Sequence, residues 1–270
     1  MRISGKTKVF TIISHPATHV IAPIIYNHIF ERLDLDMVYV AHDVALKAVG
    51  HTMQAYTAWE NLGGFNVTIP HKEVVVEFLD AMCPITSHTG VVNTVVRKED
   101  GTLYGYNTDG VGALHALGDV KGVKCLMIGA GGAARAILDA IAHGGAEKVY
   151  ILNRSKLRAE RVMDIFPEGK VQWFKDEFLP EVDIVIQATS IADVIPFGLD
   201  LSRLKKEARV FEVVMQDTAF SKEARRMGLQ VISGFAMLYH QTRRNFKLFT
   251  GIDIADDIIR DAFSLTGYRP

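Results

Sequence analysis

Lys124-Cys125-Leu126-Met127-Ile128-Gly129-Ala130-Gly131-Gly132-Ala133-Ala134 joins a short apolar run to a glycine-rich turn, and an apolar pattern through Ala136, Ile137, Ala140 and Ile141 follows it. The run predicts a buried strand, and the 3.6-residue spacing after it predicts a helix. The turn between them fits G-x-G-x-x-G/A with Ala134 in the third place, the fingerprint of a dinucleotide site. Gly129 permits the tight turn, Gly131 lets the backbone approach a pyrophosphate, and small Ala134 lets helix and strand pack closely. The helix N-terminus, opened by Gly132 and Ala133, offers N–H groups and a partial positive charge to phosphates. Gly129, Ala130, Gly131, Gly132 and Ala133 are therefore the expected cofactor turn.

The next apolar run, Lys148 to Leu152, narrows the cofactor. An NAD site carries an acidic residue roughly 20 residues past the glycines to hold the adenosine ribose. Here the run ends in Asn153-Arg154-Ser155. A guanidinium between two small hydrogen-bonding residues suits a 2′-phosphate, which a carboxylate would repel. NADP is the expected cofactor, with Asn153, Arg154 and Ser155 at its ribose phosphate.

Working outward, the βα alternation continues through strands expected at 183–188, 209–213 and 230–232, which implies a doubly wound parallel sheet. Upstream, strands are expected at 9–14, 37–41, 65–68, 90–97 and 102–106, with helices at 22–33, 44–59, 70–79 and 109–117. Glu99-Asp100-Gly101 marks a hairpin turn. The fold class is α/β in two domains, an N-terminal mixed-sheet substrate domain and a Rossmann-type doubly wound domain. Residues 235–250 and 256–265 read as closing helices that fold back to cap or join the first domain.

Composition sets the outer limits. At 270 residues, 49% hydrophobic and 23% charged, the chain can bury more than one core. A net charge of −1 gives no electrostatic reason to expect nucleic acid or an anionic membrane as partner. Cys83 and Cys125 lack paired-ligand spacing, so neither a disulfide framework nor a metal site is expected. The apolar run at Val9–Ile13 is too short for a signal peptide, and no run reaches membrane-spanning length. A cytoplasmic location is the expectation.

Polar residues in the first half cluster at expected strand ends: Asn66-Val67-Thr68-Ile69-Pro70-His71-Lys72, Val92-Asn93-Thr94 and Tyr106-Asn107-Thr108-Asp109. Such a set suits a hydroxyl-rich ligand. Oxidising a secondary alcohol needs a base for the hydroxyl proton while hydride leaves carbon, and Lys72 or Asp109 can hold that role. Each also has a plainer reading, Lys72 as a solvated residue and Asp109 as a helix N-cap.

The strings GFNVTIPHK, GVVNTVV, GYNTDGVG, GAGGAARA, NRS and GFAMLYHQ, in this order over nearly the whole chain, resemble the shikimate dehydrogenase family. The resemblance implies a cytoplasmic NADP-dependent oxidoreductase of aromatic amino acid biosynthesis that interconverts a ring secondary alcohol and a ketone. It implies a substrate-binding domain of residues 1–112 plus 235–270 and an NADP-binding Rossmann domain of residues 113–234. It implies Lys72 and Asp109 as the catalytic pair and Asn66, Thr68, Asn93 and Gln241 on the hydroxyls of a small cyclic substrate. It places Thr189 beside the cofactor, and it leaves a homodimer open.

The chain also departs from the family pattern. The family's N-terminal loop reads G-x-P-x-x-H-S-x-S-P, and its serines hold the substrate carboxylate; Val20 and Ala22 stand in their places here. Met215 replaces a tyrosine that reaches the same carboxylate. Each lost hydrogen bond to a charged group is worth roughly 1.5 to 3 kcal/mol, so an altered carboxylate pocket is expected, with His15, Thr18 and His19 as nearby substitute donors. The family's N-A-T-x-x-G-M stretch becomes Gln187-Ala188-Thr189-Ser190-Ile191-Ala192-Asp193. Two alternatives stay open: a non-catalytic NADP-binding or ligand-sensing protein, and a dehydrogenase of quinate or another polyol.

Overall fold

A computed structural model describes residues 3–174 and 181–268. The chain divides into two compact units, Met1–Thr108 with Gln241–Pro270, and Asp109–His240.

The first unit holds a six-stranded sheet in the order β2-β1-β3-β5-β6-β4. Its strands are β1 (Lys8–Ser14), β2 (Met37–Asp43), β3 (Leu62–Val67), β4 (Ala81–Met82), β5 (Thr94–Arg97) and β6 (Leu103–Tyr106). β1 runs parallel to β2 and β3, whereas β5 is antiparallel to both β3 and β6, which makes the sheet mixed as expected. The β5–β6 hairpin turns at Gly101, whose φ of 87° lies in the left-handed region that glycine adopts without strain. β1 and β3 are almost wholly buried, as central strands covered on both faces must be. Helices α1 (Ala22–Arg32), α2 (Val49–Ala58) and α3 (Pro84–Thr89) complete this stretch.

Three expectations are corrected here. The helix expected at 70–79 is only a 3-10 turn at Val74–Phe78. Three successive β-branched valines, Val74 to Val76, lose side-chain freedom in an α-helix and disfavour it. The strand expected from Gly90 begins at Thr94, because Gly90, at φ 64°, ends α3 instead. The helix expected from Val44 starts at Val49, after a 3-10 turn at Leu46–Ala48.

The second unit holds a six-stranded parallel sheet: β7 (Lys124–Ile128), β8 (Lys148–Leu152), β9 (Val171–Trp173), β10 (Ile184–Gln187), β11 (Arg209–Glu212) and β12 (Gln230–Ser233). Read from one edge the order is β9-β8-β7-β10-β11-β12, the 3-2-1-4-5-6 arrangement of the Rossmann fold. Helices α4 (Asp109–Leu117), α5 (Gly132–His143), α6 (Lys156–Met163) and α7 (Ala219–Arg226) belong to this unit. Sequence reading missed β9, a three-residue edge strand that, among the described residues, pairs with β8.

The last helices are α8 (Gly234–Thr250) and α9 (Asp256–Ser264). From Gln241 onward α8 serves the first unit: Phe249 lies 5.0 Å from the Phe10 ring, and Phe246 lies 5.8 Å from Phe30. α9 packs on α1, with Asp261 bridging His28 at 2.9 Å and Arg32 at 2.8 Å. Among the described residues no helix is long and apolar enough to cross a membrane, and no cluster of acidic, histidine or cysteine side chains could hold a metal ion.

Candidate functional site

In the first unit, β3 and β5 bring Asn66 and Asn93 together. Both side chains are buried, so their amides need partners. Asn66 Nδ2 donates to the Asn93 carbonyl at 3.1 Å and to Thr94 Oγ1 at 3.0 Å, while its Oδ1 accepts the Tyr39 hydroxyl at 2.6 Å. Asn93 Nδ2 donates to Thr108 Oγ1 at 3.0 Å, and its Oδ1 accepts the Thr108 N–H at 2.9 Å. Asn245, on α8, closes the network from the other side. Its Oδ1 lies 3.0 Å from Thr94 Oγ1 and 2.8 Å from Thr108 Oγ1. Gln241, one helical turn earlier on α8, is buried as well. The sequence marked Asn66, Asn93 and Gln241; it did not single out Tyr39 or Asn245.

Thr68 and Lys72 lie on the turn that follows β3. The Thr68 N–H donates to the Ile13 carbonyl at 3.0 Å, His71 N–H donates to the Thr68 carbonyl at 2.9 Å, and the Lys72 carbonyl accepts the Val92 N–H at 2.9 Å. Backbone bonds thus hold the peptide that carries Lys72 on both sides, while its side chain is half-buried. His71 is fully buried, and burial holds its pKa below the usual histidine range.

The N-terminal loop carries an acid of its own. Asp43, at the end of β2, lies 2.7 Å from His15 Nδ1 and accepts the Ala17 N–H at 3.1 Å. His15 is therefore already engaged by a carboxylate, and Asp43 is held below the usual carboxylate range by that contact first and the Ala17 N–H second. Val20 is half-buried and Ala22 opens α1 as a buried residue.

In the second unit the glycine turn sits where the strand order reverses, between β7 and β10. Gly129 has φ 115°, and a Cβ there would lie 3.1 Å from the Ala188 carbonyl oxygen and 3.1 Å from Thr189 Cγ2. Only glycine fits. At Gly131 a Cβ would meet nothing within 4 Å, so no protein atom demands glycine at that position. The exposed face it leaves fits a group that must approach the backbone, and the α5 N-terminus starts at Gly132.

Ala130 is buried and Ala133 half-buried beside that turn. At the end of β8, Asn153 Nδ2 donates to the Ser155 carbonyl at 2.8 Å, and Ser155 Oγ caps α6 by accepting the Arg158 N–H. Arg154 is exposed and makes no ion pair among the described residues. These features fit a phosphorylated dinucleotide.

Gln187, buried at the end of β10, pins the neighbouring turn. Its Oε1 accepts the Thr189 N–H at 2.7 Å and the Thr189 hydroxyl at 2.9 Å, and its Nε2 donates to the Ile191 carbonyl at 3.1 Å. Beside it Glu212, the last residue of β11, accepts the Thr218 hydroxyl at 2.5 Å. Burial pushes this carboxyl up to about 7, against the pull of Thr218 and the Val214 N–H. Asp109, the catalytic candidate of this unit, is the buried first residue of α4. Close packing keeps that helix in place: a Cβ on Gly110 would lie 2.6 Å from the Ala136 carbonyl oxygen of α5.

Sheet order, glycine turn and the arginine after the second strand define an α/β protein with a Rossmann-type unit. Residues 12–95 match the model of the shikimate dehydrogenase substrate binding domain, and residues 112–223 match that of shikimate / quinate 5-dehydrogenase. A shikimate dehydrogenase (NADP(+)) from Caldanaerobacter subterraneus subsp. tengcongensis is 36% identical over 93% of this chain and 94% of its own length. Among solved structures, a shikimate dehydrogenase in complex with NADP+ superposes with a TM-score of 0.87 at 32% identity, covering 99% of this chain and 98% of the other. A ligand-free 5-ketofructose reductase of Gluconobacter sp. strain CHM43 gives 0.84 at 28% identity, covering 97% and 100%. The chain belongs to the shikimate dehydrogenase family.

Proposed function

We propose that the protein is an NADP-dependent oxidoreductase that interconverts a secondary alcohol and a ketone on a small cyclic polyhydroxylated substrate, with a pocket altered at the position where the family holds a carboxylate. The observation that carries this reading is the buried amide and hydroxyl network at Asn66 and Asn93, built from groups that hydrogen-bond hydroxyls. The cofactor half is supported by the turn at Gly129–Gly131, by Arg154 at the end of β8, and by relatives named for NADP(+). Met1–Thr108 with Gln241–Pro270 serves as the substrate unit, and Asp109–His240 as the cofactor unit.

When bound, the nicotinamide supplies or removes the hydride. Asn66, Thr68, Asn93 and Gln241 orient the substrate hydroxyls. Lys72 Nζ and the Asp109 carboxylate handle the hydroxyl proton, taking it up as the alcohol is oxidised and returning it as the ketone is reduced. Gly129, Ala130, Gly131, Gly132 and Ala133 hold the pyrophosphate, Asn153, Arg154 and Ser155 the 2′-phosphate, and Thr189 the nicotinamide end.

The altered pocket rests on Val20, Ala22 and Met215, and on the Asp43 carboxylate that already takes the His15 and Ala17 donors. A substrate carboxylate entering this loop would meet fewer hydroxyls and a like charge. Support for an uncharged substrate also comes from the neighbour named a 5-ketofructose reductase, because that name describes a keto sugar.

The test is NADP(H)-linked turnover on shikimate, quinate, a ring analogue without the carboxylate, and a neutral keto sugar. Faster turnover of the neutral compounds than of shikimate is expected. Saturation by shikimate at ordinary concentration would remove the altered pocket. NADP binding with no turnover on any compound would favour the second reading, a ligand-sensing protein, which the changes at Val20, Ala22, Met215, Ala192 and Asp193 support.

A further inference from the structure

The network around Asn93 has more hydroxyl-to-amide-oxygen contacts than hydroxyl protons. Thr94 Oγ1 lies 2.9 Å from Asn93 Oδ1 and 3.0 Å from Asn245 Oδ1. Thr108 Oγ1 lies 3.2 Å from Asn93 Oδ1 and 2.8 Å from Asn245 Oδ1. Each hydroxyl has one proton to give, and each already accepts an amide N–H, Thr94 from Asn66 and Thr108 from Asn93. Two amide oxygens therefore compete for two protons, and the outcome sets how many donors Asn93 Oδ1 must meet.

We propose that Asn245 is a positioning residue: by accepting the hydroxyl protons of Thr94 and Thr108, it keeps them off Asn93 Oδ1, so that a substrate hydroxyl meets fewer competing donors there. The amide orientations themselves rest on backbone groups, since Asn66 Nδ2 donates to the Asn93 carbonyl and Asn93 Oδ1 accepts the Thr108 N–H. With both hydroxyl protons on Asn245, the threonine oxygens act as acceptors only and add no donor to Asn93 Oδ1.

Without Asn245 both protons turn to Asn93 Oδ1, which then meets three donors with two lone pairs. A substrate hydroxyl must compete with them. Asn245 follows Gln241 by one helical turn, so the same contact also sets the register of α8 beneath that glutamine. Buried Gln241, Thr242, Phe246 and Phe249 share the helix with Asn245, and the two threonines meet an amide that burial would otherwise penalise.

This inference rests on the proposed binding of substrate by Asn66 and Asn93, and its test separates the two. In the full chain, Asn245→Leu keeps the shape and removes the acceptor, whereas Asn245→Asp keeps an acceptor. On the best substrate of the panel, Asn245→Leu is expected to raise KM about tenfold or more with kcat held within about threefold, and Asn245→Asp to return KM to within about threefold of wild type. An unchanged KM in Asn245→Leu, or an Asn245→Asp protein that regains its melting temperature without its KM, overturns it. If Asn245→Leu does not fold, Thr94→Val with Thr108→Val must give the same KM rise.

A melting cycle decides the proton arrangement without any substrate. The loss of Tm caused by Asn245→Leu should shrink when both threonines are already valine, and strict additivity overturns the proposal. If wild type reduces nothing in the panel, the functional reading falls and this cycle still gives its own answer.

Discussion

In the proposed reading, the two units hold their polar ligands with different parts of the chain. The Asp109–His240 unit uses backbone: a glycine turn at the strand reversal, a helix N-terminus, and residues too small to interfere. The other unit uses side chains, in which Tyr39, Asn66, Asn93, Thr94, Thr108 and Asn245 exchange hydrogen bonds across up to 151 positions of sequence. A backbone cradle suits phosphates, which vary little. A side-chain network can be re-aimed one residue at a time, and the departures at Val20 and Ala22 fall in that same unit.

If this division of labour holds, variants in the two units must fail differently. Lys72→Ala should lower kcat by about 10²- to 10⁴-fold, the usual range for a proton-transfer group, while NADPH binding followed by fluorescence stays unchanged. Gly129→Val should do the reverse. A left-handed φ and a carbonyl 3.1 Å from the new Cβ make a strained turn, at about 1 to 3 kcal/mol for the backbone alone, so NADPH affinity should fall at least tenfold.

Glu212→Gln tests the sheet end behind the cofactor turn. The folded carboxyl keeps its proton up to about 7 while the unfolded one loses it near 4.5, so the unfolded state binds fewer protons between those values. This contribution to stability is full below the lower value and is lost as pH rises through the higher one. Wild type should therefore lose up to about 3 kcal/mol relative to the variant between pH 4.5 and pH 8, read from urea melts at each pH. Parallel curves would show that Glu212 is ionised throughout.

Smaller effects sharpen the cofactor side. Arg154→Ala should weaken NADP binding by about 1.5 to 3 kcal/mol and leave NAD binding nearly alone, since only the 2′-phosphate meets the guanidinium. Equal losses for both would place Arg154 elsewhere. Ser155→Ala, which removes the α6 cap and one proposed 2′-phosphate contact, should lower stability by about 1 kcal/mol in denaturant melts and weaken NADP binding less than Arg154→Ala does.

The same contrast explains what sequence made legible. The cofactor turn is contiguous, so its glycines and the strand and helix around it are visible in one short window. β9 was missed because three residues, Val171–Trp173, give no periodicity, and only pairing with β8 makes them a strand. The helix expected at 70–79 followed its opening proline and its apolar residues, but Val74 to Val76 carried the opposite backbone preference.

Asn66 and Asn93 stood out as polar residues at strand ends. Tyr39 and Asn245 did not, since each looks like an ordinary strand or helix residue until its partner is placed beside it. The signal at Asn245 was a second amide one turn past Gln241, next to Phe246. At Gln187 it was a polar end to the buried strand Ile184–Gln187.

The return of Gln241–Pro270 to the first unit has a consequence for the newborn chain. Phe10, Phe30 and the threonines beside Asn93 leave the ribosome long before Phe246, Phe249 and Asn245, which cover them. The whole Asp109–His240 unit is translated in between, which at about 5 to 20 residues per second takes on the order of ten seconds. During that interval the early segment carries an uncovered aromatic surface while the second unit can already fold. Chaperone capture of nascent chains should concentrate in that window and end when the last helices emerge.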